Sequence, residues 1–287
     1  MNTAWVWRLK NMRIRNFLFL FSFLWLQLLG WDIPFLQAAC KDSLVAYWNF
    51  EGKPHVNPET NLVLFEDYSG SNHHGSAITP TTQPQLSRDV PSIVNFKNNF
   101  SLLFDGKDDF IEIPDSDSLS FTGPQANFTI VTWLRVNKFT GSDFIGKYDS
   151  SQQEMEYAMR ALQTGELDIA IADGRLRQLT LWKTTGAGIE LGQWYHVVVT
   201  IDIAAQRIQF FRNGEEVSTS SVFGRFPRQL GNFSEPFRLG VIRCSNGNLC
   251  GYLDGHLDEV RLYSKVLSVE EIRELYQKGT LTICRER

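Results

Sequence analysis

The stretch of this 287-residue chain that most invites a chemical reading is G-E-L-D-I-A-I-A-D, Gly165 to Asp173. In an extended segment alternate side chains share a face, so Glu166, Asp168 and position 170 point the same way. Glycoside hydrolysis needs two carboxyl groups flanking the scissile bond, one as nucleophile or base and one as acid. Position 170 is alanine, and Asp173 falls on the opposite face of a regular strand. A hydrolase using Glu166 and Asp168 would lack its acid partner, so a solvated polar strand face is the simpler account.

Other reactive constellations are weaker still. There is no G-x-S-x-G elbow, no cysteine with a matching histidine and no glycine-rich phosphate loop. His73 and His74 are adjacent, and two neighbouring rings on an extended chain do not readily converge on one ion, so a turn role fits better than zinc. Tyr148, Trp182, Phe223 and Phe226 lie in or near loop-like segments with polar neighbours, as residues that stack on sugar rings must. Against them stands the 13% aromatic content, most of which belongs in a core.

Cys40, Cys244, Cys250 and Cys284 are the four cysteines, and no two form a C-x-x-C pair. Arg8, Lys10, Arg13 and Arg15 precede an apolar run from Phe17 to Leu29, followed by Ala38 and Ala39, the order of a secretory signal peptide. Residues 1–39 are therefore expected to be a signal peptide and 40–287 one domain, secreted or held in the cell envelope. Membrane attachment would follow only if the leader stayed uncleaved or Cys40 were lipidated. Without the leader 24 basic residues face 31 acidic ones, a net charge near −7 that disfavours nucleic acid and acidic membranes as partners. Export favours disulfides over metal thiolates or free buried thiols. Three pairings exist. Cys244–Cys250 is preferred because S-N-G-N-L between them reads as a tight turn, which leaves Cys40–Cys284 to tie the ends together.

The elements that must position these groups are strands. From Leu44 onward short β-branched and aromatic runs alternate with Gly, Pro, Asn and Asp clusters, the rhythm of an antiparallel sandwich or barrel. In Thr129–Val136, Ile130, Leu134 and Val136 share one face and Val131, Trp133 and Arg135 the other. Trp194–Ile201 is apolar on both faces, as a central strand should be, and Asn213-Gly214 marks a hairpin. A last strand covers roughly His256 to Tyr263. Ser268 with Glu271 then forms a capping box, Ile272 and Leu275 face inward, and Gly279 ends a short helix. Lys53–Glu66, interrupted by Pro54 and Pro58, reads as an inserted loop.

Several blocks, in order, resemble the laminin-G-like jelly rolls of the concanavalin A-like lectin/glucanase superfamily. They are L-V-A-Y-W-N-F-E-G from Leu44, D-Y-S-G-S-N-H-H-G from Asp67 and L-L-F-D-G-K-D-D-F-I-E-I-P from Leu102. F-T-I-V-T-W-L from Phe128, G-Q-W-Y-H-V-V-V-T from Gly192 and G-H-L-D-E-V-R-L-Y-S-K-V-L-S-V-E-E-I from Gly255 complete the set. The resemblance covers roughly Leu44 to Lys278. It implies an all-β, two-sheet antiparallel jelly-roll sandwich with a short C-terminal helix and neighbouring chain ends. Relatives bind glycans or proteins outside the cell, often with calcium, and hydrolases of the same broad fold carry a Glu-x-Asp-x-Glu strand. By this resemblance Glu51, Asp67, Asp105 and Asp258 are the candidate calcium ligands. Asp67, Asp105 and Asp108 could equally bond their own turns. The leading expectation is a non-catalytic extracellular module for carbohydrate or protein. A glycan hydrolase using Glu166 and Asp168, and a purely structural domain, are the alternatives.

Overall fold

Side chains that alternate inward and outward can bury one face only by stacking two sheets, and the chain does so. A computed structural model describes residues 43–52, 55–58, 61–92, 94–174, 179–186 and 188–281. The expected signal peptide, 1–39, and the expected Cys40–Cys284 pairing lie outside the described residues.

The first strands are β1 (Leu44–Trp48), β2 (His55–Val56), β3 (Val63–Phe65), β4 (Gly75–Ala77), β5 (Gln85–Ser87), β6 (Ser101–Asp105) and β7 (Ile111–Ile113). Longer strands follow: β8 (Asn127–Val136), β9 (Ser142–Asp149), β10 (Glu154–Ala161), β11 (Leu167–Ala172), β12 (Leu179–Thr184), β13 (Trp194–Asp202) and β14 (Arg207–Arg212). Then come β15 (Glu215–Val217), β16 (Thr219–Gly224), β17 (Phe237–Leu239), β18 (Ile242–Arg243), β19 (Leu249–Cys250) and β20 (Asp254–Tyr263), before helix α1 (Val269–Lys278). An eight-stranded sheet runs β15-β14-β13-β8-β20-β6-β5 with β1 on β20. A twelve-stranded sheet runs β16-β12-β11-β10-β9-β17-β7-β4-β3-β2, with β18 and β19 attached at β9. Among the described residues pairing is antiparallel apart from one parallel contact between Arg243 and Asp149.

Ile130, Leu134 and Val136 of β8 and Val197, Val199 and Ile201 of β13 meet Tyr157, Met159, Ile169 and Ile171 of the larger sheet in one core. Each such side chain stabilises the fold by about 1.5–3 kcal/mol on burial. The alternate residues of β8 and β13 are buried too, because α1 lies over them: Val131, Val198 and Phe211 pack with Ile272 and Leu275. Ser268 and Glu271 form the expected capping box, and Gly279 closes the helix at φ 68°. The β14–β15 hairpin turns through Asn213 at φ 53° and Gly214 at φ 81°, as a type I′ turn requires. Cys244–Cys250 is a disulfide clamping the β18–β19 hairpin.

One expectation is corrected. Lys53–Glu66 is not simply a loop, since His55 pairs with Leu64 and Val56 with Val63 across a short hairpin. Pro58 falls in its turn, where a missing N–H costs no ladder bond, and Asn61 supplies the positive φ of 55°.

Candidate functional site

Helix α1 covers the outer face of the eight-stranded sheet, whereas the outer face of the twelve-stranded sheet carries the polar chemistry. Strand register lines that face in rows. Asp143 of β9 pairs with Arg160 of β10, Arg160 with Asp168 of β11, and Asp168 with Lys183 of β12. The next row is small: Gly146, Ala158 and Ala170, ending in Leu181 and Phe223. Beyond it Met155, Ala172 and Leu179 cluster with Tyr148. Three consecutive positions with at most a methyl group form a shallow trough between a charged row and an apolar one. In it Gly146 and Ala158 are buried, Ala170 is half-buried, and Met155 and Ala172 of the apolar row are fully buried. Ile242 of the disulfide-clamped hairpin closes one end, since a Cβ on Gly146 would lie 2.8 Å from its Cγ2. Phe223, 53% exposed, stands at the other.

The charged wall is internally balanced. Arg160 donates from Nε and Nη2 to the two oxygens of Asp168, at 3.3 and 2.6 Å. Lys183 Nζ reaches both oxygens of Glu166 at 3.0 Å, and Thr164 donates to the same carboxylate at 2.9 Å. Those bonds, the Lys183 one foremost, hold Glu166 below its ordinary range. Burial pushes the Asp143 carboxyl up to about 8, and neighbouring Asp168 adds to the rise while Arg160 opposes it. Asp143 is therefore mostly protonated at neutral pH. Two ion pairs and a neutral acid sum to no net charge.

Sequence reasoning found Glu166 and Asp168 but missed Asp143 and Arg160, which reach them only through strand pairing. Ala170 lies in the small row, as alternation required. Of the four candidate aromatics, Tyr148 and Phe223 reach this face, whereas Trp182 and Phe226 pack against the core. Nothing in their spacing distinguished the two pairs.

Of the four candidate calcium ligands, Glu51 and Asp258 lie close enough for the Glu51 charge to act on Asp258, and adjacent residues bond them, Asn99 to Glu51 and Asn98 to Asp258. Asp67 accepts from Tyr47 N, Ser69 N, Ser69 Oγ and His73 N at 2.8–2.9 Å, organising its own turn. Glu51 accepts from Asn99 N and Nδ2 at 2.6 Å and from Phe100 N at 3.0 Å. Asp258 is fully buried and accepts from Asn98 Nδ2 and Glu259 N at 2.8 Å, and burial drives its carboxyl well upward. Asp105 lies with Asp108 and Asp109, one ligand atom of each within 4.8 Å of the others. Burial and the charge of Asp105 raise Asp109 to about 6. Three carboxylates are the hard oxygen donors that calcium takes, although Lys107 Nζ already approaches Asp105 at 3.4 Å.

Two stacked antiparallel sheets with a short C-terminal helix define a jelly-roll sandwich of the concanavalin A-like type. The Laminin_G_3 family model, described as the concanavalin A-like lectin/glucanases superfamily, matches residues 105–273, and the chain belongs to that family. Among solved structures, the binding domain of Paraclostridial Mosquitocidal Protein 1 is similar at a TM-score of 0.57 and 17% identity, covering 83% of this chain and 52% of that one. The binding domain of botulinum neurotoxin DC, solved with rat synaptotagmin II, gives 0.54 and 13% at the same coverages, 83% and 52%. Botulinum neurotoxin type C, described as dependent on two ganglioside molecules to get into cells, gives 0.55 and 14%, again covering 83% and 52%. This chain spans about half the length of each of these structures. At such identities the likeness speaks to the fold. No curated protein matches the chain. Among the described residues no helix is long and apolar enough to cross a membrane.

Proposed function

We propose that the chain is a non-catalytic recognition module acting outside the cell or in its envelope, and that it binds carbohydrate along the outer face of the twelve-stranded sheet. The observation that carries this reading is the trough floored by Gly146, Ala158 and Ala170. From its charge-balanced wall the partly exposed Arg160, Lys183 and Glu166 offer hydroxyl groups donors and an acceptor, and half-buried Tyr148 and Leu181 with exposed Phe223 offer a sugar ring an apolar surface. A wall without net charge favours a neutral ligand over an ionic one. The solved relatives support binding as a use of this fold, since one was solved with a protein and another is described with gangliosides. Those ligands belong to structures about twice as long.

Hydrolysis by Glu166 and Asp168 is disfavoured because Asp168 is 2% exposed with both oxygens on Arg160, and Glu166 is paired with Lys183 and Thr164. A protein ligand is the second reading, favoured by β16, which ends the sheet with Val222 46% and Phe223 53% exposed. Such an edge is open to an added strand.

A glycan array with the wild-type chain and with Arg160→Ala and Phe223→Ala tests the reading. Binding by the wild type that both substitutions reduce about tenfold or more is the expected result. A blank array, with normal folding, would leave the peptide edge or a structural role. Calcium in this reading stabilises the Asp105–Asp109 turn. Returning it to chelator-treated protein should raise the melting temperature, and an unchanged melt together with no metal by elemental analysis removes the ion.

A further inference from the structure

On the same outer face, in the opposite half of the twelve-stranded sheet, a cavity of about 500 Å³ opens between the β2–β3 hairpin, the turn before β4 and the segment after β7. Its size falls in the range of small-molecule sites, roughly 300–1,000 Å³. Asn57, Ser71, Asn72, His74 and Asp115 bring polar groups to it, and Leu62 and Leu64 bring apolar ones.

Two of these polar groups are fixed from behind by separate buried networks. His74 Nδ1 accepts the Asp67 backbone N–H at 3.1 Å. The neutral ring must then carry its proton on Nε2, which is a donor. Asp67 is itself held by four hydrogen bonds, so the imidazole has little freedom. Asp115 accepts from Lys147 Nζ at 3.0 Å, and that ammonium is fully buried against Glu156 and the Phe233 carbonyl. A carboxylate has about four acceptor sites, and Lys147 uses one. Asn72 is held at φ 62°, a left-handed conformation that Asn tolerates better than most residues. Ordering costs already met by the fold are not charged to binding.

The mixture of groups selects the ligand. One carboxylate repels anions, and with Lys147 already on it the site is a poor cation trap. Amides, the hydroxyls of Ser71, Ser76 and Ser116 and an imidazole N–H around a carboxylate match adjacent hydroxyls, which both donate and accept. Leu62 and Leu64 suit the C–H side of a ring. We propose that this cavity binds a single neutral sugar residue, independently of the trough.

The test is NMR of the His74 ring in the full chain during titration with methyl glycosides of neutral hexoses. At least one glycoside should shift the His74 resonances saturably. Asn72→Gly keeps the backbone conformation and deletes the amide, and should weaken that binding about tenfold with the melt unchanged. Asp115→Asn should weaken it likewise, and because it disturbs buried Lys147 it is read only beside Asn72→Gly. Phe223→Ala should leave the titration unchanged even where it abolishes array binding, which separates this site from the trough. No shift with any glycoside, an unaltered titration in Asn72→Gly, or loss of the shift in Phe223→Ala would each overturn the proposal.

Discussion

His196 shows how far a residue's setting can depart from its type. Its ring is fully buried beside Trp133 and Tyr276, and neither nitrogen has a hydrogen-bond partner. Burial first, and then the charge of Arg261, lower it to about 3, and burial lowers His256 to about 4. Unfolded, both would take up protons below about pH 6.5. Stability present above that pH is therefore lost as acidity increases toward pH 3. His196→Phe removes two unsatisfied buried atoms and should gain about 1 kcal/mol at pH 7 while flattening the acid side of the profile, measured by urea unfolding across pH. Asp143 works in the opposite sense. Its folded value of about 8 lies above the ordinary carboxyl value, so stability falls as pH rises from about 4 through 8. Asp143→Asn should lose that slope, and its stability relative to wild type should be greater at pH 9 than at pH 5. An unchanged slope would mean that Asp143 is ionised in the fold.

At the scale of elements, the β18–β19 hairpin links the disulfide to the trough. Gly251 packs so closely on Asp143 that an added Cβ would lie 2.1 Å from its Oδ2, and Gly251 O accepts the Asp143 N–H. Ile242 covers Gly146 from the same hairpin. Replacing Cys244 and Cys250 with serine should cost roughly 2 kcal/mol, the entropy of a short closed loop. The loss should be concentrated in hydrogen-exchange protection of β18, β19 and the start of β9. Ser268→Ala removes a capping bond from α1 and should cost about 1 kcal/mol, read from the same denaturation curves. Turn chemistry made both elements legible in advance: S-N-G-N-L named the hairpin, and Ser268, Glu271 and Gly279 bounded the helix. The β2–β3 hairpin was hidden because two prolines broke the alternation on which a strand assignment depends.

For the whole molecule, the asymmetry between the two outer faces decides where a ligand can lie. Helix α1 seals the eight-stranded sheet, so deleting residues 265–287 would expose Val131, Trp133, Val198 and Phe211. The truncated chain should self-associate in light scattering and bind a hydrophobic dye; a monodisperse, dye-negative product would show that the sheet does not need this cover. Alternation, turn residues and ordered family blocks were enough to specify a two-sheet sandwich, its core residues on β8 and β13, the capped helix and the Cys244–Cys250 bridge. These rest on local rules that act within a strand or a turn. Ala170 could likewise be read as a gap in a carboxylate row, because side-chain alternation is a property of one strand. What lies beside that gap was not legible. Asp143, Arg160, Asp168 and Lys183 are scattered over forty positions and become one wall only through the register of four strands. Likewise His74 and Asp115 share a cavity only because β4 and β7 are neighbours. Which outer face is left open, and what chemistry lines it, was decided by long-range pairing and by the placement of one helix, whose geometry no local pattern encodes.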